Sequence, residues 1–448
     1  MNATTATDWA SLITPPMSAD RAQTLARTLD LRALPADFLA NPYPVYASLR
    51  TQEPIKRMPD GSYFLTRHAD LVAVYRDAQT FSSDKQVEFG PKYNKSPYNS
   101  PPYALPGRDA PLYEHHTNSL VFNDPPLHTR VRKLIMGALT RRAIDDLTPG
   151  LIQLVDGLLD HLQAQGGGDL IEDFASAIPV EIIGNLLGVP HAERGPLRGW
   201  SLAILGALEP SLTPEQEALG HASVRAFYDY LLGLVADRRR QPADPERDVL
   251  TRLIQGEDSG EKLSEIELLQ NCQFLLNAGH ETTTNLIGNA LICLQEHPAA
   301  RAQLLSDMQQ AADDVARDAV LNLAVDEFLR FESSNQLGNR RALHATQLGG
   351  LDLPAGALVT LCIGAANRDP AQFEHPEQLN LRRTGGKHLA FGFGIHQCAG
   401  LSLARLEGRV AIGRFLQRFP DYQLTQAPLR GGRARFRGFL QAPFSTGL

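Results

Sequence analysis

The ten residues Phe391-Gly-Phe-Gly-Ile-His-Gln-Cys-Ala-Gly400 contain three glycines and one cysteine, Cys398. Glycine lets the main chain approach a bulky group closely and adopt positive φ. Cys398 comes just before a helix predicted from about Leu401 to Phe419, and the dipole and free N–H groups at a helix start stabilise a thiolate. The segment therefore indicates either a reactive thiolate beside something bulky or a buried, inert cysteine in a tight turn.

A second unusual segment, Ala278-Gly-His-Glu-Thr-Thr283, lies in the middle of the longest predicted helix. That helix begins at Ser264, where Glu267 completes a capping box, and it ends near His297, before Pro298. Apolar residues fall on nearly every side of it, which is typical of a helix buried in a large core.

The middle of this helix departs from the usual preferences of helical residues. Gly279 costs about 1 kcal/mol relative to alanine in a helix, and Thr282 and Thr283 can bond back to carbonyls and bend it. An acid, Glu281, lies between them. Such a segment in a buried helix indicates either a structural kink or a functional site.

Two further pairs of residues are spaced to share a helix face. Glu327 and Arg330 are three residues apart, a spacing that alone carries little information. His128 and Arg132 are four apart, and the run from His128 to Arg142 contains five cationic residues and no acid. This run, which includes Arg130 and Lys133, predicts either a solvated helix face or a surface that docks an acidic partner protein.

Together these segments resemble the motifs of the cytochromes P450, the haem-thiolate monooxygenases. The family signature Phe-x-x-Gly-x-His-x-Cys-x-Gly is matched at every defined position of residues 391–400, and the resemblance extends from roughly residue 38 to the C-terminus. It implies that Cys398 is the axial ligand of the haem iron and that Phe391 and Gly392 also bind the haem. In that family, electron donation by the sulfur promotes O–O cleavage.

The resemblance also implies roles for the other motifs. Ala278 and Gly279 would leave room for bound dioxygen, and Glu281 and Thr282 would form an acid–alcohol pair that delivers protons, with His280 pointing away from the haem. Cationic donors suit the two haem propionates. By resemblance these donors are His128, Arg132, Arg340 and His396, although a shift of one residue would exchange Arg340 for Arg341.

The predicted fold is mainly α with small β-sheets, and by resemblance the haem lies between the long central helix and the helix after the cysteine loop. We expect a single domain over 1–448, in which 1–37 form a peripheral N-terminal extension. Strands are predicted at about 55–58, 63–66 and 357–363. Residues 82–123 are predicted to form a long irregular loop that contacts the substrate.

Composition argues against several classes of protein. The formal net charge of −7 disfavours nucleic acid as a partner. No signal-peptide pattern and no membrane-spanning apolar run is recognisable, and the four cysteines form no Cys-x-x-Cys pair, so a soluble cytoplasmic protein is expected. Because Cys-x-x-Cys-His is also absent, haem b (iron protoporphyrin IX) would be bound non-covalently.

We therefore expect a haem-dependent monooxygenase that hydroxylates a small-to-medium organic substrate with O2 and two electrons. A separate ferredoxin- or flavodoxin-type protein would supply the electrons, since no flavin or nicotinamide domain is recognisable in the sequence. The intact Glu281–Thr282 pair disfavours two alternatives, a peroxygenase and a haem sensor or carrier without turnover. The substrate is not identified, and residues 334–338 lack the apolar residues usual in the family.

Overall fold

The computed structural model describes residues 9–89, 111–245, 248–256 and 261–447 of the chain. The N-terminal helices are α1 (Trp9–Ile13), α2 (Ala19–Arg27), α3 (Ala36–Ala40), α4 (Tyr43–Gln52), α5 (His68–Arg76), α6 (Gln86–Phe89) and α7 (Pro111–Asn118). The central helices are α8 (Leu127–Ala138), α9 (Arg141–Asp145), α10 (Thr148–Gln165), α11 (Ala177–Leu186), α12 (Leu197–Gly206), α13 (Pro214–Arg240) and α14 (Val249–Gln255). The last helices are α15 (Glu265–Glu296), α16 (Pro298–Gln310), α17 (Asp314–Phe331), α18 (Ile363–Ala366) and α19 (Leu401–Arg418).

Short strands form small sheets beside these helices. They are β1 (Ile55–Arg57), β2 (Tyr63–Leu65), β3 (Phe81–Ser82), β4 (Gly167–Asp169), β5 (Leu337–Ala342), β6 (Thr346–Leu348), β7 (Leu351–Leu353), β8 (Leu358–Cys362), β9 (Gln423–Leu424), β10 (Leu429–Arg430), β11 (Phe439–Gln441) and β12 (Pro443–Ser445). The largest sheet has the order β1-β2-β8-β5-β3, and the others are β4-β12-β9, β6-β7 and β10-β11. The prediction of a mainly α fold with small sheets is confirmed.

Helix α15 is the centre of the core, as its sequence predicts. Ser264 is its N-cap, and the reciprocal bonds of the capping box with Glu267 are present. Its 32 residues span about 48 Å, and most of them are buried. Pro298 begins the next helix directly after the C-cap residue His297, because proline lacks the N–H that would continue α15.

The cysteine loop is held in place by glycines that no other residue could replace without strain. Gly392 has φ 66° and Gly394 has φ 71°, both in the left-handed region. A Cβ atom on Gly394 would lie 2.3 Å from the carbonyl oxygen of Tyr75, at the end of α5. This close approach fixes the loop against α5, and Gly400 then serves as the N-cap of α19.

Two predictions about irregular segments need correction. Part of the expected loop over 82–123 is helical, since α6, α7 and a 3-10 turn at Leu120–Phe122 lie within it. Pro111 is tolerated as the first residue of α7 because its missing N–H would have no partner there. Residues 90–110 of this loop lie outside the described residues.

The N-terminal stretch 1–37 is also less peripheral than expected where it is described. Ile13 is buried in the main core, and Leu25 is buried in a second apolar cluster with Phe38. Arg430 donates to the carbonyl oxygen of Ile13 at 3.3 Å. The described part of the extension is therefore packed against the rest of the chain.

Glu327 and Arg330 of α17 form a buried ion pair, with both side chains 2% exposed and 2.7 Å between Nε and Oε2. Arg330 also donates to the carbonyls of Asn367 and Pro376, and Arg383 donates to Glu327 at 2.9 Å. An exposed pair at this spacing would be worth little. Here the pair ties α17 to the segment that leads into the cysteine loop.

We expect Arg330→Leu to lower the free energy of unfolding by about 3–5 kcal/mol, because it leaves the Glu327 charge buried without its main partner. Arg382→Leu is the control, since Arg382 is 62% exposed in its pair with Asp307 and should contribute less than about 1 kcal/mol. Urea unfolding followed by circular dichroism measures both. Equal stability of the two variants would contradict this role for the buried pair.

Candidate active site

A large internal cavity lies between α15, the cysteine loop, α19 and β5. Its volume is about 700 Å³. Most of the residues singled out from the sequence line it, including Arg132, Ala278, Gly279, Thr282, Arg340, Phe391, Gly392, His396 and Cys398. The fold therefore brings together motifs that are separated by more than a hundred residues in the chain.

Cys398 is the cysteine that faces this cavity. It is partly exposed, whereas Cys272, Cys293 and Cys362 are buried and do not line the cavity. The N–H of Cys398 donates to the carbonyl of Phe391 at 2.8 Å, which holds the residue at the cavity wall.

The electrostatic surroundings of the Cys398 sulfur are mixed. Burial raises the pKa of the thiol, while a hydrogen bond from the Gly400 backbone and the nearby charges of Arg132 and Arg405 lower it. For the other cysteines burial dominates, and it raises the pKa of Cys272 to about 12. A coordinated metal ion would deprotonate such a thiol outright.

One strip of α15 faces the cavity. In the middle of this buried helix the partly exposed residues are Phe274, Leu275, Ala278, Gly279 and Thr282, and their four-residue spacing places them on one face. The Thr282 hydroxyl donates to the Ala278 carbonyl at 2.7 Å. Ala278, Gly279 and the Thr282 hydroxyl are the small or polar groups of this strip, and Asn277 and Thr283 beside it also line the cavity.

Gly279 has a packing role in addition to leaving room in the cavity. A Cβ atom at this position would lie 2.6 Å from Cδ1 of Ile183 on α11. The glycine therefore allows α11 to pack closely against α15. Its presence can be explained by helix packing alone, which the sequence motif did not suggest.

Glu281 and His280 lie on a different face of α15 from Thr282. Successive helical residues project about 100° apart, and these two side chains line a second, small cavity instead of the large one. Burial raises the pKa of Glu281 to about 7 although Arg433 opposes the shift. The Arg433 Nη1 atom donates to Glu281 Oε1 at 2.5 Å. As expected, His280 faces away from the large cavity.

Cationic or potentially cationic groups cluster at one end of the large cavity, where Arg132, Arg340 and His396 line the wall and His128 lies behind His396. The rings of His128 and His396 lie 4.1 Å apart between centroids. Arg132 is near Cys398, and Arg340 is buried beside the Tyr75 ring. Burial is the main cause that lowers the pKa of His128 to about 4 and that of His396 to about 2, and neighbouring cations lower both further.

Polar atoms in this cluster lack partners among the described residues. Both ring nitrogens of His128 and Nε2 of His396 are buried without a hydrogen bond. Buried polar atoms without partners cost free energy, so the cluster suits a ligand with several anionic oxygens. A haem with its two propionates fits this end of the cavity, and the Cys398 sulfur fits its iron.

Arg340 and Arg341 are neighbours on β5, and only one of them faces the large cavity. Successive residues of a strand point to opposite faces. Arg340 lines the large cavity, whereas Arg341 donates to the Gly356 carbonyl at 3.0 Å and pairs with Glu88 at 3.2 Å. Arg340 is therefore the member of the pair that belongs to the cationic cluster.

The basic run of α8 is not as free as the sequence suggests. Arg130 pairs with Glu261 at 3.2 Å and with Glu267, the residue of the α15 capping box. Its charge is therefore compensated inside the protein. The expectation that Arg130 is available to an acidic electron donor is therefore wrong. The sequence pattern did not reveal these ion pairs because Glu261 and Glu267 lie far from Arg130 in the chain.

Comparison with known proteins gives consistent results. A sequence profile of the family described as Cytochrome P450 matches residues 205–427. Cytochrome P450 107B1 of Saccharopolyspora erythraea is 36% identical over 407 residues, which are 89% of this chain and 93% of that protein. Polyketide biosynthesis cytochrome P450 PksS of Bacillus subtilis is 34% identical over 393 residues, 88% of this chain and 92% of the relative.

Solved structures agree with the sequence comparisons. The structure of P450BioI in complex with an acyl carrier protein that bears hexadec-9Z-enoic acid matches with a TM-score of 0.79 at 30% identity. It covers 92% of this chain and 99% of that one. Within the described residues, no helix combines the length and apolar character needed to cross a membrane.

We expect Arg340→Ala to release haem about 10–100-fold faster than the native protein, because a charge-assisted hydrogen bond contributes about 1.5–3 kcal/mol. Arg341→Ala is the matched control and should keep the native rate. Transfer of haem to excess apomyoglobin, followed by absorbance, measures both rates. Equal rates for the two variants would exclude Arg340 from the haem contacts.

Proposed function

This chain belongs to the cytochrome P450 family and is a haem-dependent monooxygenase of organic substrates, and we propose that its Cys398 thiolate binds the haem iron. The family reaction joins one atom of O2 to the substrate and converts the other into water, with two electrons and two protons consumed. The observation that carries the assignment is the position of Cys398, the one cysteine of the chain that lines the large cavity.

We propose that the haem is b-type and non-covalent and that its propionates are bound by His128, Arg132, Arg340 and His396. Three of them line one end of the cavity and His128 packs against His396, which supports this role, as do the unpartnered ring nitrogens. Phe391 and Gly392 would contact the haem from the loop. The bound haem supplies the redox chemistry, and these residues supply orientation and charge compensation.

The face of α15 in the cavity suits a small oxygen ligand and its protonation. Ala278 and Gly279 add little bulk there, and Thr282 offers a hydroxyl. We propose that Thr282 donates a hydrogen bond to dioxygen after its hydroxyl rotates away from the Ala278 carbonyl. Glu281 would resupply the proton, and its pKa of about 7 suits a group that gains and loses protons near neutral pH.

The remaining cavity wall favours a largely apolar organic substrate. Leu186, Ile204, Leu205 and Phe274 line it. Of the charged residues that also line it, Lys85 pairs with Glu88 at 2.9 Å. We propose a small-to-medium substrate with an apolar region at the site of oxidation, held in part by the segment 82–123.

We propose that a ferredoxin- or flavodoxin-type protein delivers the electrons. In five relatives the match covers 89–95% of the relative's own length, which leaves little room in those proteins for a reductase domain. A cytoplasmic location, expected from the cysteine content, stays a prediction. A peroxygenase uses hydrogen peroxide and needs no proton delivery to dioxygen. It is disfavoured because Thr282 lies in the cavity and the pKa of Glu281 is about 7, which suits proton delivery.

We expect the reduced carbon monoxide complex to show the red-shifted Soret band of thiolate ligation, and Cys398→Ala to lose it. Cys272→Ala and Cys362→Ala are controls, because these buried thiols do not face the cavity and should leave the band unchanged. Absorption spectra of purified, reduced protein make the test. A native spectrum in Cys398→Ala would refute the ligand assignment.

We expect Thr282→Ala to keep its haem content and substrate affinity but to divert electrons to hydrogen peroxide. The diverted reaction consumes O2, two electrons and two protons without product. Product and peroxide formed per NADPH, with redox partners present, measure the division. Thr251→Ala, a buried threonine of α14 that does not line the cavity, is the control. A product yield equal to that of the native protein would contradict the role of Thr282.

A further inference from the structure

The segment Ser334-Asn-Gln-Leu-Gly338, which leads into β5, is a polar part of the wall of the large cavity. Both Ser334 and Asn335 line the cavity. Asn335 forms an isolated backbone bridge to Phe436, which is another residue of the wall, and this bridge fixes the main chain of the segment at the cavity. The proposed function gives no role to these two polar side chains, although they stand where apolar residues are usual in the family.

A third neutral polar side chain, Asn277, lines the same cavity from α15. Ser334 is 4% exposed and Asn277 is 1% exposed, whereas Asn335 is partly exposed. Within the described part of the chain, Ser334 Oγ, Asn335 Oδ1 and both amide atoms of Asn277 are buried without a hydrogen-bond partner. Buried polar atoms without partners cost free energy, and native proteins compensate most of them. Because the three side chains line a cavity, a ligand in that cavity can supply the missing partners.

Charged side chains also line the cavity, and outside the cationic cluster they are paired, hydrogen-bonded or neutral. The Lys85 Nζ atom pairs with Glu88 at 2.9 Å. Glu217 accepts a hydrogen bond from the Tyr113 hydroxyl at 2.5 Å. Burial raises the pKa of Glu407 to about 8, so this acid is largely uncharged at neutral pH.

Arg435 and Glu209 are also engaged within the protein where they line the cavity. Arg435 donates to two backbone carbonyls, at 2.8 Å each, and Glu209 accepts from three backbone N–H groups. The charge of Glu209 acts on Arg435 and offsets it. Neither Lys85 nor Arg435 is therefore left to pair with an ionised acid of a substrate, and an unpaired carboxylate is costly to bury. These surroundings favour an uncharged polar group.

We propose that the large cavity selects an uncharged substrate that carries a hydroxyl or carbonyl oxygen, and that Asn335, Ser334 and Asn277 determine this specificity. A carboxamide both donates and accepts hydrogen bonds, as a hydroxyl does, whereas a carboxylate only accepts them. The Asn277 amide can turn toward a bound oxygen because its terminal torsion has broad preferences. The inference rests on the proposed haem site and deepens the proposed function by naming the class of substrate.

Imidazoles that bind the haem iron through nitrogen test this specificity without the natural substrate. Each probe carries at N1 an alkyl chain that ends in a methyl, a hydroxyl or a carboxylate group, and the chain is lengthened one carbon at a time. Ligation of the iron shifts the Soret band, so every probe gives a dissociation constant. The iron anchors one end of the probe, and the chain length sets how far the other end reaches along the cavity.

At the chain length that reaches the polar wall, the native protein should show its strongest preference for the hydroxyl probe over the methyl probe. This preference should fall about five- to tenfold in Asn335→Leu and in Asn277→Leu, each at the length that reaches it, because leucine has a similar shape but forms no hydrogen bond. Asn285→Leu is the matched control and should keep the native preference. Asn285 is also a buried residue of α15 with an unpartnered Nδ2, but it lines the small cavity instead of the large one.

Haem content and the affinity of the methyl probe show whether each variant keeps an intact cavity. Leucine should be tolerated at both positions, since the amide atoms that it replaces include buried ones without a partner. A hydroxyl preference that is equal in the native protein and in both variants at every chain length would overturn the inference and leave the unpartnered atoms to water.

Two further outcomes separate this inference from the proposed function. Tightest binding of the carboxylate probe by the native protein would overturn the uncharged class of substrate, while the ligation itself would support the haem site in the large cavity. Failure of every probe to ligate the iron of the native protein would refute that haem site and, with it, the inference.

Discussion

The hydrogen bond from the Cys398 N–H to the Phe391 carbonyl closes the loop on which the site depends. It is possible because Gly392 and Gly394 adopt positive φ, and because Gly394 admits the Tyr75 carbonyl where a Cβ atom could not fit. The closed loop presents the sulfur to the large cavity and leads directly into α19. The strip of α15 around Thr282 then forms another part of the same cavity wall.

Burial of charge organises the rest of the site. The charges of Glu327 and Arg330 compensate each other in a buried ion pair. In the cationic cluster, by contrast, ring nitrogens of His128 and His396 are buried without a hydrogen-bond partner. A protein retains such unsatisfied groups only where something else compensates them. At the cationic cluster a haem with its two propionates fits this requirement. Glu281 lies on a face of α15 other than the one that lines the large cavity.

Local patterns predicted much of this architecture. The capping box at Ser264 and the glycines of the cysteine loop act through neighbours in sequence, so they can be recognised there. Contacts between distant segments could not be predicted in this way. Arg433 donates a hydrogen bond to Glu281, which is 152 positions away in the chain. Arg130 donates to Glu267, which is 137 positions away. The packing of Gly279 against Ile183 likewise depends on how α11 crosses α15, which no local motif encodes.

The functional assignment depends on our proposal that the Cys398 sulfur binds the haem iron in the large cavity. X-ray absorption at the iron edge tests it most directly, because sulfur scatters differently from nitrogen or oxygen in the first coordination shell. We expect one sulfur scatterer together with the porphyrin nitrogens in the native protein, and none in Cys398→Ser. A first shell of nitrogen and oxygen alone in the native protein, or an unchanged sulfur signal in Cys398→Ser, would contradict ligation by Cys398.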